Sequence, residues 1–269
     1  MPERFGIIGH PLGHTMSPLL HNRGFAELGL DAVYEAWPVG PDELRRHMQR
    51  VRCEPIRGMS VTIPHKRTVM DCLDRISDRA MAVGAVNTVF WEDGLLCGEN
   101  TDVVGVVAPL SDLDAPPQSA LVLGAGGAAR ATIAGLKELG VSRICVANRT
   151  TEKAGALATE FSVEAESWEA RADSEFDLLC NTTPLGMDGE LSRLSPWPED
   201  GFSQVAIAYD LVYNPLQTRF LREAEAAGCA TISGLEMFLH QGLAQFRLWT
   251  GKDMDIDGAR QALLNALES

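Results

Sequence analysis

The stretch Ala120-Leu-Val-Leu-Gly-Ala-Gly-Gly-Ala-Ala129 contains the strongest fold signal in the chain. Its apolar start predicts a buried strand, and the glycine-rich segment predicts a tight turn into a helix that extends to Leu139. Gly124 allows the turn, Gly126 leaves room for a close approach to the backbone, and Ala129 lets helix and strand pack closely. This GxGxxA pattern is typical of a dinucleotide site with the pyrophosphate at the helix N-terminus. The alternative is a glycine-rich turn without a ligand.

The residues after the next predicted strand indicate which dinucleotide binds. NAD-binding domains usually carry Asp or Glu there, which binds the ribose hydroxyls. Here the strand ends at Ala147 and is followed by Asn148, Arg149 and Thr150, with Lys153 one turn later. The planar Arg fork suits a 2′-phosphate because it makes paired, charged hydrogen bonds. The pattern therefore predicts NADP; the alternative is a solvated pair of cations at a helix start.

The chain on either side of this stretch alternates between strand and helix patterns. In the first half we predict strands at Arg4–Ile8, Ala32–Val39 and Gly58–Ile63, a hairpin of Val86–Trp91 with Leu95–Gly98, and helices at Ser17–Leu28, Pro41–Val51, Pro64–Leu73 and Thr101–Leu110. Ser17 is the expected N-cap of its helix, with Pro18 at the first position. The polar, proline-containing loop Asp112–Ser119 precedes the second half.

In the second half the predicted strands are more continuously apolar. They are Ala120–Leu123, Arg143–Ala147, Leu178–Asn181 and Val205–Leu211, and two helices, Glu236–Thr250 and Asp257–Leu267, end the chain. Apolar strands separated by helices predict a parallel sheet that is covered on both faces. The fold class is therefore α/β, with two domains, one of them a Rossmann-type dinucleotide-binding domain, and a cleft between them.

Composition limits the partners. The 269 residues carry a formal net charge of −14, and an acidic surface disfavours nucleic acid. We read no signal peptide and no apolar run long enough for a membrane span, and we expect a cytoplasmic protein. The cysteines are scattered without a CxxC, which favours free thiols over a metal site or disulfides.

Two polar clusters in the first half supply candidate catalytic groups. Lys66 ends the segment Ser60-Val-Thr-Ile-Pro-His-Lys66, and Asp102 ends Gly98-Glu-Asn-Thr-Asp102 at a predicted helix start, where a carboxylate is favoured. An enzyme that reduces a ketone needs a proton donor near the carbonyl and a carboxylate to hold it, and Lys with Asp can fill these roles. From spacing alone, the alternative is a surface lysine and a helix cap.

The whole chain resembles the shikimate dehydrogenase family. The matching strings occur in the family's order, at Gly9–Pro18, Ser60–Lys66, Gly84–Thr88, Asn100–Asp102, Gly124–Arg130, Asn148–Thr150, Asn181–Met187, Asp210–Pro215 and Gly234–Met237 with Gln241. The resemblance implies reversible, NADPH-dependent reduction of 3-dehydroshikimate to shikimate, a step in chorismate and aromatic amino acid biosynthesis. It also implies a substrate domain of residues 1–103 and 236–269 and an NADP-binding Rossmann domain of residues 104–235.

Residue roles follow from the same resemblance. Lys66 and Asp102 correspond to the catalytic pair. The substrate-binding positions are Thr15, Ser17, Thr62, Asn87, Asp102, Tyr213 and Gln241, with Thr15 and Ser17 expected at the substrate carboxylate. The cofactor positions are Gly124, Gly126, Gly127, Ala128, Ala129, Asn148, Arg149, Thr150, Lys153, Asn181, Thr182, Thr183, Leu211 and Gly234. No metal is expected, and the expected oligomeric state is a monomer or a homodimer.

Three positions depart from the family pattern. Thr15 stands where serine is usual, Ser60 where asparagine is common, and Ser233 where aspartate often occurs. Since the first two touch the expected substrate pocket, quinate is an alternative substrate. A non-catalytic ligand sensor on the same fold is a further alternative, although retention of both Lys66 and Asp102 argues against it.

Overall fold

The chain forms two compact units. The computed structural model describes residues 1–13 and 15–268. Residue 14, within the motif Gly9–Pro18, and residue 269, at the end of the predicted segment 236–269, lie outside the described residues. Unit 1 comprises Met1–Thr101 and the residues from Gln241 onward, and unit 2 comprises Asp102–His240. The boundaries therefore lie two residues earlier and five residues later than the sequence predicted. The second boundary falls inside one continuous helix. The sequence prediction placed it at the start of that helix, because no residue pattern marks a boundary in the middle of a helix.

Unit 1 contains a six-stranded mixed sheet. Up to residue 101 its elements are β1 (Glu3–Gly9), α1 (Ser17–Glu27), β2 (Ala32–Pro38), α2 (Leu44–Cys53), β3 (Ile56–Val61), β4 (Arg75–Ile76), α3 (Asp78–Val83), β5 (Thr88–Glu92) and β6 (Leu95–Glu99). The strand order is β2-β1-β3-β5-β6-β4. Strand β1 pairs in parallel with β2 and β3, whereas β5 runs antiparallel to β3 and β6.

Unit 2 contains a six-stranded sheet in which every pairing is parallel. Its elements are α4 (Asp102–Ser111), β7 (Ser119–Leu123), α5 (Gly127–Glu138), β8 (Arg143–Ala147), α6 (Thr151–Phe161), β9 (Glu164–Glu166), β10 (Phe176–Asn181), β11 (Val205–Asp210), α7 (Arg219–Ala226) and β12 (Ala230–Ile232). The strand order is β12-β11-β10-β7-β8-β9. The parallel sheet predicted from the continuous apolar strands is confirmed.

The central strand of unit 2 has both faces buried. Ala120 and Val122 of β7 pack in one apolar cluster with residues of α5, while Leu121 and Leu123 pack in another with residues of α7. Successive side chains of a strand point to opposite faces, so a strand that is buried on both sides has to be apolar at every position. This requirement explains the uninterrupted apolar run before Gly124.

Two helices end the chain, α8 (Gly234–Thr250) and α9 (Ile256–Leu267). The second half of α8 belongs to unit 1, where Phe246 packs on Phe25 of α1 with ring centroids 5.3 Å apart. Phe25 in turn lies 5.1 Å from Phe5 of β1. Burial of these aromatic rings holds the second half of α8 on the sheet of unit 1. Among the described residues, no helix is both long and apolar enough to cross a membrane.

Two local predictions in unit 1 are wrong. The predicted helix Pro64–Leu73 is a turn followed by a short 3₁₀ helix, Thr68–Cys72, because the Lys66 carbonyl accepts a hydrogen bond from Val86 N–H at 2.7 Å and is thereby withdrawn from helical pairing. Ser17 is the first helical residue of α1, and Met16 is the N-cap. The Ser17 hydroxyl is engaged with Thr15 and makes no capping bond.

The hairpin between β5 and β6 has a shorter turn than predicted. Glu92 pairs with Leu95, so the turn consists of Asp93 and Gly94, with φ of 52° and 78°. Positive φ at both central positions is characteristic of a type I′ turn, which matches the right-handed twist of the strands. Gly94 therefore occupies a position that residues with a Cβ adopt only at a cost.

We predict that Gly94→Ala lowers the free energy of unfolding by about 1–2 kcal/mol, the usual cost of a left-handed residue with a Cβ. The matched control is Gly155→Ala, in the interior of α6, where a Cβ would meet no atom within 4 Å. There the same substitution should raise stability by roughly 0.5–1 kcal/mol, because it removes the flexibility of a helical glycine. Thermal unfolding of both variants measures the two signs, and equal signs would contradict the assignment of the turn.

Candidate active site

The cofactor residues predicted in unit 2 lie at one edge of the parallel sheet. Leu123 of β7 is in register with Ala147 of β8 and with Asn181 of β10, and Asn181 is in register with Asp210 of β11. Because the strands are parallel, the segments that follow these residues all leave the sheet at its carboxyl edge. Ligands of open α/β sheets bind at this edge.

The glycine-rich turn connects β7 to α5 as predicted. Gly124 has φ of +117°, which favours glycine, and its N–H donates to Ala147 O at 2.8 Å. A Cβ on Gly124 would also lie 2.5 Å from Thr182 Oγ1, whereas a Cβ on Gly126 would meet nothing within 4 Å. Gly126 is the N-cap of α5, so open space adjoins the helix start, and Gly127 and Ala128 follow in its first turn. Ala129 is buried against the sheet. The helix N-terminus and its open space suit a phosphate group.

The predicted reader of the 2′-phosphate lies beyond β8. Arg149, Thr150 and Lys153 are exposed, and no ion pair joins Arg149 or Lys153 to another of the described residues. Asn148 donates from Nδ2 to Thr150 O at 3.0 Å, which orders the turn. Thr150 is the N-cap of α6, yet its hydroxyl makes no capping bond. These groups are available to an anionic ligand.

A buried hydrogen-bond network holds the segment after β10. Asn181 donates from Nδ2 to Asp210 Oδ1 at 2.9 Å, and its Oδ1 accepts from the backbone and hydroxyl of Thr183 at 2.9 and 2.7 Å. Asp210 also accepts from Thr218 Oγ1 at 2.6 Å and from Val212 N–H at 3.0 Å. The Thr182 hydroxyl donates to Leu123 O at 2.7 Å. Asn181, Thr182 and Thr183 are predicted cofactor residues, whereas the sequence did not predict that the Asp210 carboxylate holds Asn181.

Leu211 and Gly234 lie together at the same edge. Leu211 N–H donates to Asn181 O at 2.9 Å. A Cβ on Gly234 would lie 2.5 Å from Leu211 O, so α8 begins against this segment and only glycine fits. Tyr213 follows two residues later, and its ring packs on Phe238 of α8 with centroids 4.8 Å apart.

In unit 1 the predicted carboxylate-binding hydroxyls adjoin each other. Thr15 donates from Oγ1 to Ser17 Oγ at 3.2 Å, and Ser17 N–H donates to Thr15 Oγ1 at 3.3 Å. These residues follow β1, while Thr62 follows the neighbouring β3, and Thr62 N–H donates to Ile8 O at 2.9 Å. A Cβ on Gly9 would lie 2.4 Å from Thr62 Cγ2. The ends of β1 and β3 thus bring Thr62 close to the loop that carries Thr15 and Ser17.

Asn87 ties three chain segments of unit 1 together. Its N–H donates to Glu99 O at 3.1 Å, and its carbonyl accepts from Val61 N–H at 2.7 Å. Its side-chain oxygen accepts from Thr101 N–H at 2.7 Å, and its Nδ2 donates to Thr101 Oγ1 at 3.0 Å. The segments before Lys66 and before Asp102 therefore both contact the residue that the sequence analysis assigned to a substrate hydroxyl.

The predicted catalytic residues flank Asn87 along the chain. Lys66 is half-buried, and its carbonyl accepts from Val86 N–H, one residue before Asn87. Asp102 directly follows Thr101, is 4% exposed and begins α4, as predicted. Gln241 is also buried and lies on α8.

Ser60 lies deeper than the sequence analysis expected. It is buried between Tyr34 and Gln245 and bonds both through its hydroxyl. Gln245 is one helical turn after Gln241 on α8, and this i, i+4 spacing is the one sequence signal that relates it to the predicted site. Among the described residues, no group of three or more His, Cys, Asp or Glu could hold a metal ion.

Asp210 generates a prediction about pH. Burial raises its pKa from 3.8 to about 7 and outweighs the hydrogen bonds from Thr218, Val212 and Asn181, which lower it. Because the folded-state pKa is raised, the neutral Asp210 carboxyl contributes its full stabilisation below the unfolded-state pKa, which is about 4. This contribution is lost as the pH rises to the folded-state pKa of about 7.

We therefore expect the stability of the protein relative to its Asp210→Asn variant to fall as the pH rises through this window, with a slope of at most about 1.4 kcal/mol per pH unit. The asparagine is neutral at every pH, so all other titrations cancel in the difference. Denaturant unfolding of both proteins from pH 4 to 8 measures it. A difference that grows with pH would show that the hydrogen bonds outweigh burial.

Three family models match separate stretches of the chain. Residues 7–89 match the shikimate dehydrogenase substrate binding domain. Residues 111–175 match the shikimate / quinate 5-dehydrogenase model, and residues 234–264 match the shikimate 5′-dehydrogenase C-terminal domain. The matched stretches cover much of both units.

Individual relatives align over nearly their full length. The chain is 52% identical over 267 residues to the shikimate dehydrogenase (NADP(+)) of Maridesulfovibrio salexigens, covering 99% of this chain and 98% of the relative. The shikimate 5-dehydrogenase of Thermus thermophilus, solved in complex with NADP(H) and shikimate, has a TM-score of 0.90 and 41% identity, covering 99% of this chain and all of that one. The quinate dehydrogenase of Corynebacterium glutamicum, solved in complex with NAD, has a TM-score of 0.89 and 28% identity, covering 98% and 99%. Motifs, fold and identity over the full length agree, and the chain belongs to the shikimate dehydrogenase family.

Proposed function

We propose that this chain catalyses the reversible, NADPH-dependent reduction of 3-dehydroshikimate to shikimate. The observation that carries the proposal is the 52% identity to a relative named shikimate dehydrogenase (NADP(+)), which extends over 99% of the chain. A quinate dehydrogenase that also aligns over nearly its full length is 28% identical and was solved with NAD. The residues at the two sheet edges suit the same reaction.

The side chains of unit 2 fit NADP. The open space beside Gly126 at the start of α5 admits a pyrophosphate, and the Asn181 network orders the neighbouring loop. Arg149, with Lys153 one turn later, would bind the 2′-phosphate, and the three positions directly after β8 carry no carboxylate to bind a free ribose hydroxyl. When bound, NADPH supplies the hydride for the ring carbonyl carbon.

The predicted substrate and catalytic residues would bind the substrate and exchange the proton. Thr15 and Ser17 would hold the carboxylate, with Thr62, Asn87 and Gln241 at the ring hydroxyls and Tyr213 as a further substrate contact. Lys66 would donate a proton to the carbonyl oxygen during reduction and accept it in the reverse direction, and Asp102 would orient the lysine. The half-buried position of Lys66 and the burial of Asp102 support these roles.

Quinate is the second candidate substrate, because Thr15 adds a methyl group where serine is usual. Steady-state turnover of shikimate and of quinate, each with NADP and with NAD, tests the proposed function. We expect the highest kcat/KM with shikimate and NADP. A higher value with quinate and NAD would contradict the proposal, and the absence of turnover with all four pairs would favour a ligand sensor. A cytoplasmic location and a monomeric or homodimeric state remain predictions.

We predict that Arg149→Ala raises the KM for NADP roughly 10- to 150-fold, because it removes a charge-assisted contact worth about 1.5–3 kcal/mol. The KM for NAD should change little, since NAD lacks the 2′-phosphate. Arg143→Ala is the matched control. Arg143 lies at the opposite end of β8, where it pairs with Glu164, so its loss should affect neither constant. Equal losses for NADP and NAD would show that Arg149 does not read the phosphate.

We predict that Lys66→Ala lowers kcat by about 10²–10⁴-fold, the usual effect of removing a general acid or base. The KM for NADP should stay close to the wild-type value, because Lys66 belongs to unit 1 and the NADP residues belong to unit 2. Arg67→Ala is the control, since Arg67 is the adjacent cation and is exposed.

A different kinetic result would reassign the proton transfer. If Lys66→Ala raised the KM for shikimate and left kcat near normal, Lys66 would be a binding residue. Asp102, or a water that it holds, would then be the proton-transfer group, and Asp102→Asn would be the more damaging change.

A further inference from the structure

A proline interrupts the backbone hydrogen bonding of α4. In an α-helix each N–H donates to the carbonyl four residues earlier, so the Gly105 carbonyl would accept from residue 109. Residue 109 is Pro109, which lies inside α4 and has no N–H. A proline ring also crowds the carbonyl four residues before it. Since Gly105 is buried, the replacement donor has to come from a neighbouring group of the protein.

The Tyr209 hydroxyl supplies this bond. It donates to Gly105 O at 3.3 Å, from 104 residues further along the chain. Tyr209 is fully buried on β11 and lies in the same apolar cluster as Val106 and Leu110 of α4. Burial raises the pKa of Tyr209 well above its usual range, so the phenol keeps its proton at assay pH. Because a carbonyl only accepts, the direction of the bond is fixed.

The bonded carbonyl lies in the helical turn that begins with Asp102. Asp102 is the first residue of α4, and Gly105 follows three residues later. The first N–H groups of a helix have no partner within it, so fewer hydrogen bonds hold the first turn than the middle. The residue before this turn is held separately, since Thr101 N–H donates to Asn87 Oδ1 at 2.7 Å. Asp102 therefore lies in a short segment that is anchored at Thr101 and again at Gly105.

The packing of α4 on α5 limits how the helix can respond to a lost bond. A Cβ on Gly135 of α5 would lie 3.0 Å from Val107 Cγ2 and 3.4 Å from Val106 Cγ1. This close contact leaves α4 little room to move toward α5. A Gly105 carbonyl without its donor would either stay unsatisfied or turn toward another donor. Because an unsatisfied buried carbonyl is costly, a shift of the first turn is the expected response.

We propose that Tyr209 is a positioning residue for Asp102, acting through the Gly105 carbonyl that Pro109 leaves without its helical donor. The inference rests on the proposed function, because it takes Asp102 as the partner of Lys66. Tyr209 is fully buried and acts on the reaction only through α4. Pro109 makes the tyrosine necessary, since a residue with an N–H at this position would satisfy Gly105 within the helix.

The first measurement uses Tyr209→Phe in the full-length protein, which removes the donor and keeps the ring. We expect kcat/KM for shikimate to fall about five- to tenfold, the effect of one lost hydrogen bond, with the KM for NADP unchanged. Ser142→Ala is the control in the same unit, since it also deletes a hydroxyl bond to a backbone carbonyl, that of Gln118 at 2.8 Å. It should alter neither constant.

A rescue variant tests whether the effect passes through Gly105. Pro109→Ala restores the N–H that the helix lacks, and alone it should keep the wild-type kcat/KM. In the Pro109→Ala background, Tyr209→Phe should cost less than about twofold, because the helix itself then satisfies the Gly105 carbonyl. If Tyr209→Phe alone does not fold, Pro109→Ala and the double variant provide the same comparison. A loss as large in this background as in the wild type would overturn the proposal.

A second background tests whether the effect reaches Asp102. In Asp102→Asn, which lacks the carboxylate, Tyr209→Phe should lower the remaining kcat/KM by less than about twofold. A purely structural tyrosine would lower it as much as in the wild type, so that result would also overturn the proposal.

The outcomes separate this inference from the proposed function. If the wild-type protein does not oxidise shikimate, the proposed function fails first. If the wild type is active and Tyr209→Phe keeps its kcat/KM while folded, Tyr209 is not a positioning residue. The same conclusion follows if Ser142→Ala lowers kcat/KM as much as Tyr209→Phe does, because the effect would then reflect general loosening of unit 2.

Discussion

A buried amide or carboxylate must find its hydrogen-bond partners inside the protein, and both units depend on this requirement to order their loops. In unit 1, Asn87 bonds the ends of β3 and β6 and the residue before Asp102. In unit 2, Asn181 bonds Asp210 and Thr183, and Asp210 extends the network to Thr218. A loop without regular structure keeps one conformation when several such bonds would be broken together. The proposed substrate and cofactor loops are both held in this way.

The protein is acidic as a whole but carries exposed cations at the predicted cofactor edge. The whole chain carries −14, yet the edge of the parallel sheet in unit 2 presents the start of α5 together with Arg149 and Lys153. Screening limits the reach of the distant carboxylates to about 10 Å, so a few local donors determine which anion binds. An acidic surface is therefore compatible with a doubly anionic phosphate at this edge.

The interior of unit 1 combines apolar rings with a chain of hydrogen bonds. One side of the sheet is filled by aromatic rings from β1, α1 and α8, and within this setting lies the hydrogen-bond chain from Tyr34 to Asn87. Apolar packing holds α8 on the sheet, and the polar chain determines its register, because only one placement of Gln245 satisfies Ser60 and Thr88 together. The apolar contacts hold α8 on the sheet, and the hydrogen bonds fix its position there.

The sequence by itself determined the features that depend on neighbouring residues: the strand and turn before α5, the parallel sheet around β7, and the absence of a carboxylate directly after β8. These follow from side-chain alternation and from the dihedral freedom of glycine, both of which are local. The tertiary structure decided the rest. Lys66 lies in a turn because the Val86 N–H takes its carbonyl, and Ser17 engages Thr15 instead of capping its helix. The roles of Tyr34, Gln245 and Asp210 depend on partners elsewhere in the chain, and Ser60 and Gln245 are 185 residues apart. No local pattern records such contacts, since they exist only once folding has buried both partners together.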